Sequence, residues 1–193
     1  MNQLYPIFLK ANKLPILIVG GGKVGYEKLS FILKNSPQAR IILVATKISK
    51  AIRSLLYGRE HQVTLIERPF QLLDLERKSL VIVATNNSRL NKYVWSHAKD
   101  RDLLVNVADV PHLCDFYLGS IVTKGDLKIA ISTNGKSPTF AKRLRQLLEQ
   151  ILPEEIDDLL DNMYDFRQQL GVDFERKVKI LNALTESLLE KSA

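Results

Sequence analysis

Gly20-Gly21-Gly22-Lys23-Val24-Gly25 is the stretch whose residue types and spacing are best suited to chemistry. It fits G-x-G-x-x-G, follows an apolar run directly, and opens a stretch of helical spacing, the setting in which such a loop takes a dinucleotide. Gly20 permits the tight turn, Gly22 lets a pyrophosphate approach the backbone, and Gly25 lets helix and strand pack closely. Lys23 and Val24 begin the helix whose unpaired N–H groups face the anion. The acid that usually holds the ribose hydroxyls at the end of the second strand is missing, because that strand ends Val44-Ala45-Thr46-Lys47. Thr46 is a weak substitute, and Lys47 with Lys50 suits a 2′-phosphate, so spacing leaves NAD and NADP both open.

Three further clusters could carry chemistry. Ala84-Thr85-Asn86-Asn87 follows the fourth expected strand, at the edge where open α/β sheets bind ligands; Thr85 and Asn86 could line a cofactor there, or the segment could simply cap the next helix. Asn106-Val107-Ala108-Asp109 follows the fifth strand on the same edge, which makes Asp109 the first choice for acid–base work, with a plain turn former as the alternative. Ile131 to Pro138 joins an expected hairpin to a helix start and gathers hydroxyls, a glycine and a lysine where an anion could bind. His112 and Cys114 lie near Asp109, but their spacing matches no zinc motif, and no metal ligand is assigned. His61 and His97 fall on expected surface positions. No nucleophile elbow, Walker lysine motif or His-Glu-x-x-His sequence occurs, which takes most of the support from hydrolase and kinase readings.

The elements that must position these residues alternate. Leu14 to Val19, Ile41 to Ala45, Val63 to Ile66, Leu80 to Ala84 and Leu103 to Asn106 read as short apolar strands. Val24 to Leu33, Ile48 to Tyr57 (stopped by Gly58) and Arg89 to Lys99 read as helices between them. This pattern predicts an α/β fold with a parallel sheet covered on both faces. After Asp109 the rhythm changes: Phe116 to Thr123 and Leu127 to Ser132 read as a hairpin turning at Lys124-Gly125-Asp126. Ser137 then caps a helix with Pro138 at its first position. Pro153 is expected to start a second helix towards Leu170, and Phe174 to Leu189 a third, with Val178, Leu181, Leu184, Leu188 and Leu189 on one side. The expected organisation is a dinucleotide-binding domain over 1–112, a hairpin and helix over 113–150, and a small helical domain over 151–193.

The chain has 193 residues, 46% hydrophobic and 25% charged, an ordinary globular composition that excludes fibrous and disordered classes. Its longest apolar runs are far shorter than the roughly 20 residues needed to span a bilayer, and no signal peptide is visible, so a soluble cytoplasmic protein is expected. Cys114 is the single cysteine and reads as a small packed hydrophobe. Residues 1–140 hold 20 Lys and Arg against 10 Asp and Glu, a net of +10, while residues 141–193 hold 8 against 11, a net of −3. The basic part suits an anionic partner, a nucleotide, a polycarboxylate or a nucleic acid. No nucleic-acid-binding motif or aromatic platform favours the last of these.

Taken together, these segments resemble the precorrin-2 dehydrogenase / sirohydrochlorin ferrochelatase family, the siroheme synthase module, from end to end. The carrying residues are Tyr5-Pro6-Ile7-Phe8-Leu9, Ile18 to Gly25 with Lys28, Ala84 to Asn87 with Asn91, Asn106 to Asp109, Phe116, and Ile131 to Pro138 with Ala141 and Arg145. The resemblance implies a Rossmann domain, a dimerisation region and a small helical domain. It implies an enzyme that takes hydride from precorrin-2 with NAD to give sirohydrochlorin, and that in many members then inserts ferrous iron. By motif match Asp109 takes the place of the essential acid. Gly20, Gly22, Lys23, Val24 and Gly25, with Thr46, Lys47, Thr85 and Asn86, take the cofactor contacts. Thr133 stands where some relatives have a serine lining the tetrapyrrole site, with Lys136 and Ser137 beside it. The resemblance also implies a homodimer and a separate uroporphyrinogen methyltransferase that supplies precorrin-2, whose eight carboxylates suit the basic front section. Two departures stand out: Gly119 where the family usually has proline, and Asn134 where it commonly has glycine. A nucleotide-sensing regulatory module of the Rossmann type is the rival reading; it predicts an acid near Thr46 and gives no account of Ser137-Pro138.

Overall fold

The computed structural model describes residues 2, 4–58 and 63–186. The apolar run before the glycines is β1 (Ile16–Val19), followed by α1 (Lys23–Asn35), β2 (Ile41–Ala45), α2 (Lys50–Leu55), β3 (Val63–Glu67), β4 (Leu80–Val83), α3 (Ser88–Lys99) and β5 (Leu104–Val107). Two short 3-10 turns, Leu72–Leu75 and Pro111–Leu113, have no periodic signal and were not expected. The strands form one parallel sheet in the order β3-β2-β1-β4-β5. Strand order reverses between β1 and β4, and the crevice outside the carboxyl ends at such a switch point is where open α/β sheets take ligands.

Both faces of the sheet are covered over its central strands β2, β1 and β4, which is why these are continuous apolar runs, whereas the edge strands β3 and β5 carry Thr64, Glu67 and Asn106. Ile16 and Ile18 pack with Leu29, Leu33 and Ile52 on one face, while Leu17 and Val19 pack with Val94, Ala98 and Val105 on the other. Each fully buried aliphatic side chain contributes about 1.5–3 kcal/mol. Helix α2 starts two residues later than its periodicity implies, because Ser49 is the cap, its Oγ accepting from the Ile52 amide at 3.4 Å. Gly58 does end that segment in the left-handed region, at φ +76°. No helix among the described residues is long and apolar enough to cross a membrane.

The chain divides into two compact units, residues 1–118 and 119–193. In the second, β6 (Ser120–Lys124) pairs antiparallel with β7 (Leu127–Ile131), and α4 (Pro138–Ile151), α5 (Ile156–Gln169) and α6 (Phe174–Thr185) follow. The hairpin turns at Gly125, φ +51°. Asp157 lies over that turn: its Oδ1 accepts from the Asp126 amide at 2.7 Å, and a Cβ on Gly125 would fall on the Asp157 carboxylate. The Lys124 ammonium donates to the Leu152 carbonyl at 2.6 Å and to Glu154 Oε1 at 2.7 Å. These contacts hold Pro153, Glu154 and Glu155 in a turn, so α5 begins at Ile156 rather than at Pro153. Neither α5 nor α6 has a buried residue, as expected of a small helical module. Leu188 and Leu189 lie outside the described residues.

Candidate functional site

The glycine loop is built by close backbone approaches. Gly20 has φ +126°, its amide donates to the Val44 carbonyl at 2.9 Å, and a Cβ there would run into the carbonyl oxygen of Ala84. Gly20 therefore lets the β1 exit pass against the β4 exit at the switch point. A Cβ on Gly25 would strike the Gly20 carbonyl oxygen, so this glycine seats α1 on the loop. Gly21, which the motif leaves free, is equally constrained: its Cβ would meet the Lys47 carbonyl oxygen and lie 2.9 Å from the Ala45 side chain, and its own carbonyl accepts from the Ser49 amide at 3.0 Å. Gly22 is different, for among the described residues nothing but its own chain neighbours stands within 4 Å of its Cβ position. It is also the N-cap of α1, without a side-chain cap and with no acid in the first turn. An open space beside an uncapped, positively polarised helix start fits a pyrophosphate.

Thr46 and Lys47 are exposed at the exit of β2, the strand beside β1 in the sheet. Their loop is held from β3 by Glu67, whose Oε1 accepts from the Ile48 amide at 2.9 Å and whose Oε2 pairs with Arg53 at 2.5 Å. The Ile48 amide, then the Arg53 and Lys47 charges, keep the Glu67 carboxyl below the ordinary carboxylate range despite some desolvation. Sequence reasoning missed Glu67. Its signal is positional, since it sits in register with Ala45 at the last residue of β3.

At the β4 exit the capping alternative describes the geometry. Asn87 Oδ1 accepts from the Leu90 amide at 3.1 Å and caps α3. The Thr85 hydroxyl donates to Asn91 Oδ1 at 2.5 Å and accepts from the Asn87 amide at 3.1 Å. The Asn91 carboxamide, buried, donates back to the Thr85 carbonyl at 3.1 Å. Thr85 is thus half-buried in a turn network, while Asn86 is exposed.

Asp109 lies two residues past β5 on the same carboxyl edge, exposed, with φ +60°. The Val110 amide donates to the Val107 carbonyl at 3.2 Å, so Asp109 is the third residue of a β-turn, the position that takes positive φ in type II turns. Turn forming and a presented carboxylate are therefore one feature. The segment after it folds back along β5: the Asp115 amide donates to the Val105 carbonyl at 2.8 Å, Asp115 Oδ2 accepts from the Val105 amide at 2.9 Å, and Lys99 pairs with Asp115 at 2.9 Å. Asn106, 5% exposed, donates to the Phe116 carbonyl at 2.8 Å, and its Oδ1 has no hydrogen-bond partner among the described residues. His112 is exposed, Cys114 is half-buried, and His97 is half-covered against Tyr93. His61 falls outside the described residues. Among the described residues, no group of three His, Cys, Asp or Glu could hold a metal ion.

Thr133, Lys136 and Ser137 belong to the second unit. Thr133 Oγ1 accepts from the Ser137 amide at 3.1 Å, Ser137 Oγ accepts from the Phe140 amide at 3.2 Å, and the exposed Lys136 lies between them. Asn134, where glycine is common in the family resembled, has φ +52°, which asparagine tolerates better than other residues with a side chain. Gly119 is close-packed, since a Cβ would lie 2.6 Å from the Ile131 carbonyl oxygen.

A family model described as putative NAD(P)-binding matches residues 7–120, and one described as sirohaem biosynthesis protein central matches residues 124–151. The chain is 38% identical over 176 residues to a siroheme synthase of Vesicomyosocius okutanii subsp. Calyptogena okutanii (strain HA), covering 91% of this chain and 37% of that protein. It is 37% identical over 177 residues to a siroheme synthase of Pseudoalteromonas atlantica (strain T6c / ATCC BAA-1087), covering 92% and 37%. The chain thus spans little more than a third of the length of these curated relatives. Among solved structures, SirC, precorrin-2 dehydrogenase, matches with a TM-score of 0.76 at 27% identity, covering 94% of this chain and 89% of that one. With more than half of its length matched by the first model, the chain belongs to the putative NAD(P)-binding family, here followed by a sirohaem biosynthesis protein central segment.

Proposed function

We propose that this chain oxidises precorrin-2 to sirohydrochlorin with NAD. The observation that carries the reading is the opening at Gly22, beside an uncapped helix start at the switch point, in a chain that matches a precorrin-2 dehydrogenase structure over 94% of its length. Gly20, Gly22, Lys23, Val24 and Gly25 would hold the pyrophosphate, Thr46 and Lys47 the adenosine ribose, and Thr85 and Asn86 the run towards the nicotinamide. When bound, the dinucleotide supplies a hydride acceptor. Desaturation of the macrocycle removes one hydride and one proton, and the Asp109 carboxylate is the base that takes the proton and returns it to water. Thr133, Lys136 and Ser137 are the proposed substrate contacts of the second unit. The +10 charge of residues 1–140 favours a polycarboxylate substrate.

Ferrous iron is the proposed second substrate: when it enters sirohydrochlorin two pyrrole protons leave, and Asp109 is again the available acceptor. A homodimer acting in the cytoplasm on precorrin-2 supplied by a uroporphyrinogen methyltransferase completes the reading, with residues 113–150 as its dimerisation region. Asp109→Asn tests the acid–base assignment, because asparagine tolerates the same positive φ and keeps the turn. NADH formation should fall by about 10²–10⁴-fold while NADH binding stays at the wild-type level. Unchanged turnover would remove Asp109 from the mechanism.

A further inference from the structure

The unpaired edge of β5 is finished by a thiol. Strand β5 is the last of its sheet, so the outward N–H and C=O of Val107 have no neighbouring strand to pair with. Cys114 meets both instead, sharing the carbonyl with the Val110 amide: its Sγ accepts from the Val107 amide at 3.3 Å and lies 3.2 Å from the Val107 carbonyl oxygen. The same Sγ lies 3.4 Å from the Val110 carbonyl oxygen, and the S–H donates to one of the two carbonyls at a time. Val107 and Val110 are the first and last residues of the turn that holds Asp109 at positive φ. The sulfur therefore touches both ends of that turn. From behind, Cys114 is held by Asn106, whose Nδ2 lies 3.4 Å from Sγ, and by its own amide, which donates to the Pro111 carbonyl at 3.1 Å. Leu113 next to it is 9% exposed and packs into the sheet core, so the thiol is anchored by the body of the domain.

Resting on the dehydrogenase reading above, we propose that Cys114 is a positioning residue for Asp109, its thiol fixing the Val107–Val110 turn so that the carboxylate is presented in one orientation. Burial pushes the Cys114 thiol above its ordinary value, outweighing the Val107 amide and the Lys28 charge, so the sulfur keeps its proton at neutral pH and remains a donor. No covalent or redox step is involved. A left-handed aspartate is strained unless its surroundings over-determine it, and the sulfur, in contact with Val107 and Val110 at the two ends of the turn, supplies that restraint.

The test compares Cys114→Ala and Cys114→Ser with wild type in three readouts: precorrin-2 kinetics, NADH affinity, and amide exchange of peptides covering residues 105–114. In Cys114→Ala, kcat should fall roughly tenfold, with KM for both substrates and NADH affinity unchanged, because a displaced base slows the chemical step without touching the glycine loop. The Val110 amide, which closes the turn, should exchange roughly tenfold faster. Serine can accept and donate in the same place and should restore most of the rate. Wild-type kcat in Cys114→Ala, unchanged exchange, a parallel loss of NADH affinity, or no rescue by serine would each overturn the proposal. If wild type fails to oxidise precorrin-2, the dehydrogenase reading is what fails. The exchange comparison still decides whether the thiol holds the turn: faster exchange in Cys114→Ala supports it and unchanged exchange overturns it.

Discussion

Gly22→Ala separates binding from folding more cleanly than any other change in the glycine loop. Gly22 has φ −86° and ψ −160°, in the extended region, and among the described residues nothing but its chain neighbours lies within 4 Å of the added methyl. The variant should fold with stability equal to wild type or higher by about 0.4–1 kcal/mol, since alanine restricts the unfolded chain. The methyl would, however, stand where the pyrophosphate must approach the α1 N–H groups. Loss of one hydrogen bond to a charged group costs about 1.5–3 kcal/mol, and about 1.4 kcal/mol is tenfold in affinity, so the Kd for NADH should rise by between about tenfold and about 150-fold. Fluorescence titration with NADH and urea unfolding of the same preparation give both numbers. A Kd within about twofold of wild type would show that no phosphate approaches Gly22, and the assignment of the opening would be wrong.

Other changes give contrasting outcomes. Gly25→Ala gains about 1 kcal/mol of helix propensity but drives a methyl into the Gly20 carbonyl, so urea unfolding should show a net loss of up to about 2 kcal/mol along with weaker NADH binding. Gly125→Ala should destabilise the second unit by about 1–3 kcal/mol, because it needs positive φ and meets the Asp157 carboxylate; hydrogen exchange of residues 120–131 should report the loss, and native-like protection would contradict the turn geometry. Asp74, 8% exposed, accepts from Arg68 at 2.6 and 2.8 Å and from the Gln71 amide at 2.8 Å. Burial alone would raise its carboxyl, but the Arg68 and Gln71 hydrogen bonds, aided by the Arg68 and Lys78 charges, hold it below the ordinary value. A depressed folded pKa stabilises the native state above the unfolded value of about 3.9 and loses that contribution as pH falls through the folded one. The wild-type urea midpoint should therefore drop more steeply than that of Asp74→Asn as pH is lowered from about 5; parallel curves would refute this.

The parallel sheet was legible because its three central strands, β2, β1 and β4, are apolar runs of four or five residues, and β2 was read to the residue. The 3-10 turn at Leu72–Leu75 was not, since one turn is too short to show a period. Its Arg68–Asp74 pair joins residues whose sequence neighbours give no sign of the contact. The motif disclosed Gly20, Gly22 and Gly25 but hid Gly21, whose constraint comes from Lys47 on another loop. Glu67 escaped for the same reason, acting across β2–β3 register rather than along the chain. Thr85 was legible as a polar turn residue, yet its bond to Asn91 depends on α3 starting at Ser88, one residue earlier than its periodicity indicated. Cys114 was read as a packed small residue, and only the fold brings its sulfur to both ends of the Asp109 turn.

The most direct test of the account is an anaerobic time course with purified protein, enzymatically generated precorrin-2 and either NAD or NADP, following NAD(P)H and the sirohydrochlorin spectrum together, with ferrous ion added after the reaction ends. The account predicts NADH and sirohydrochlorin appearing in equal amounts, followed by a metal-dependent spectral change faster than in a protein-free control. A folded protein that binds NADH yet forms neither product with either dinucleotide would contradict the dehydrogenase assignment and favour a nucleotide-sensing role for the same glycine loop.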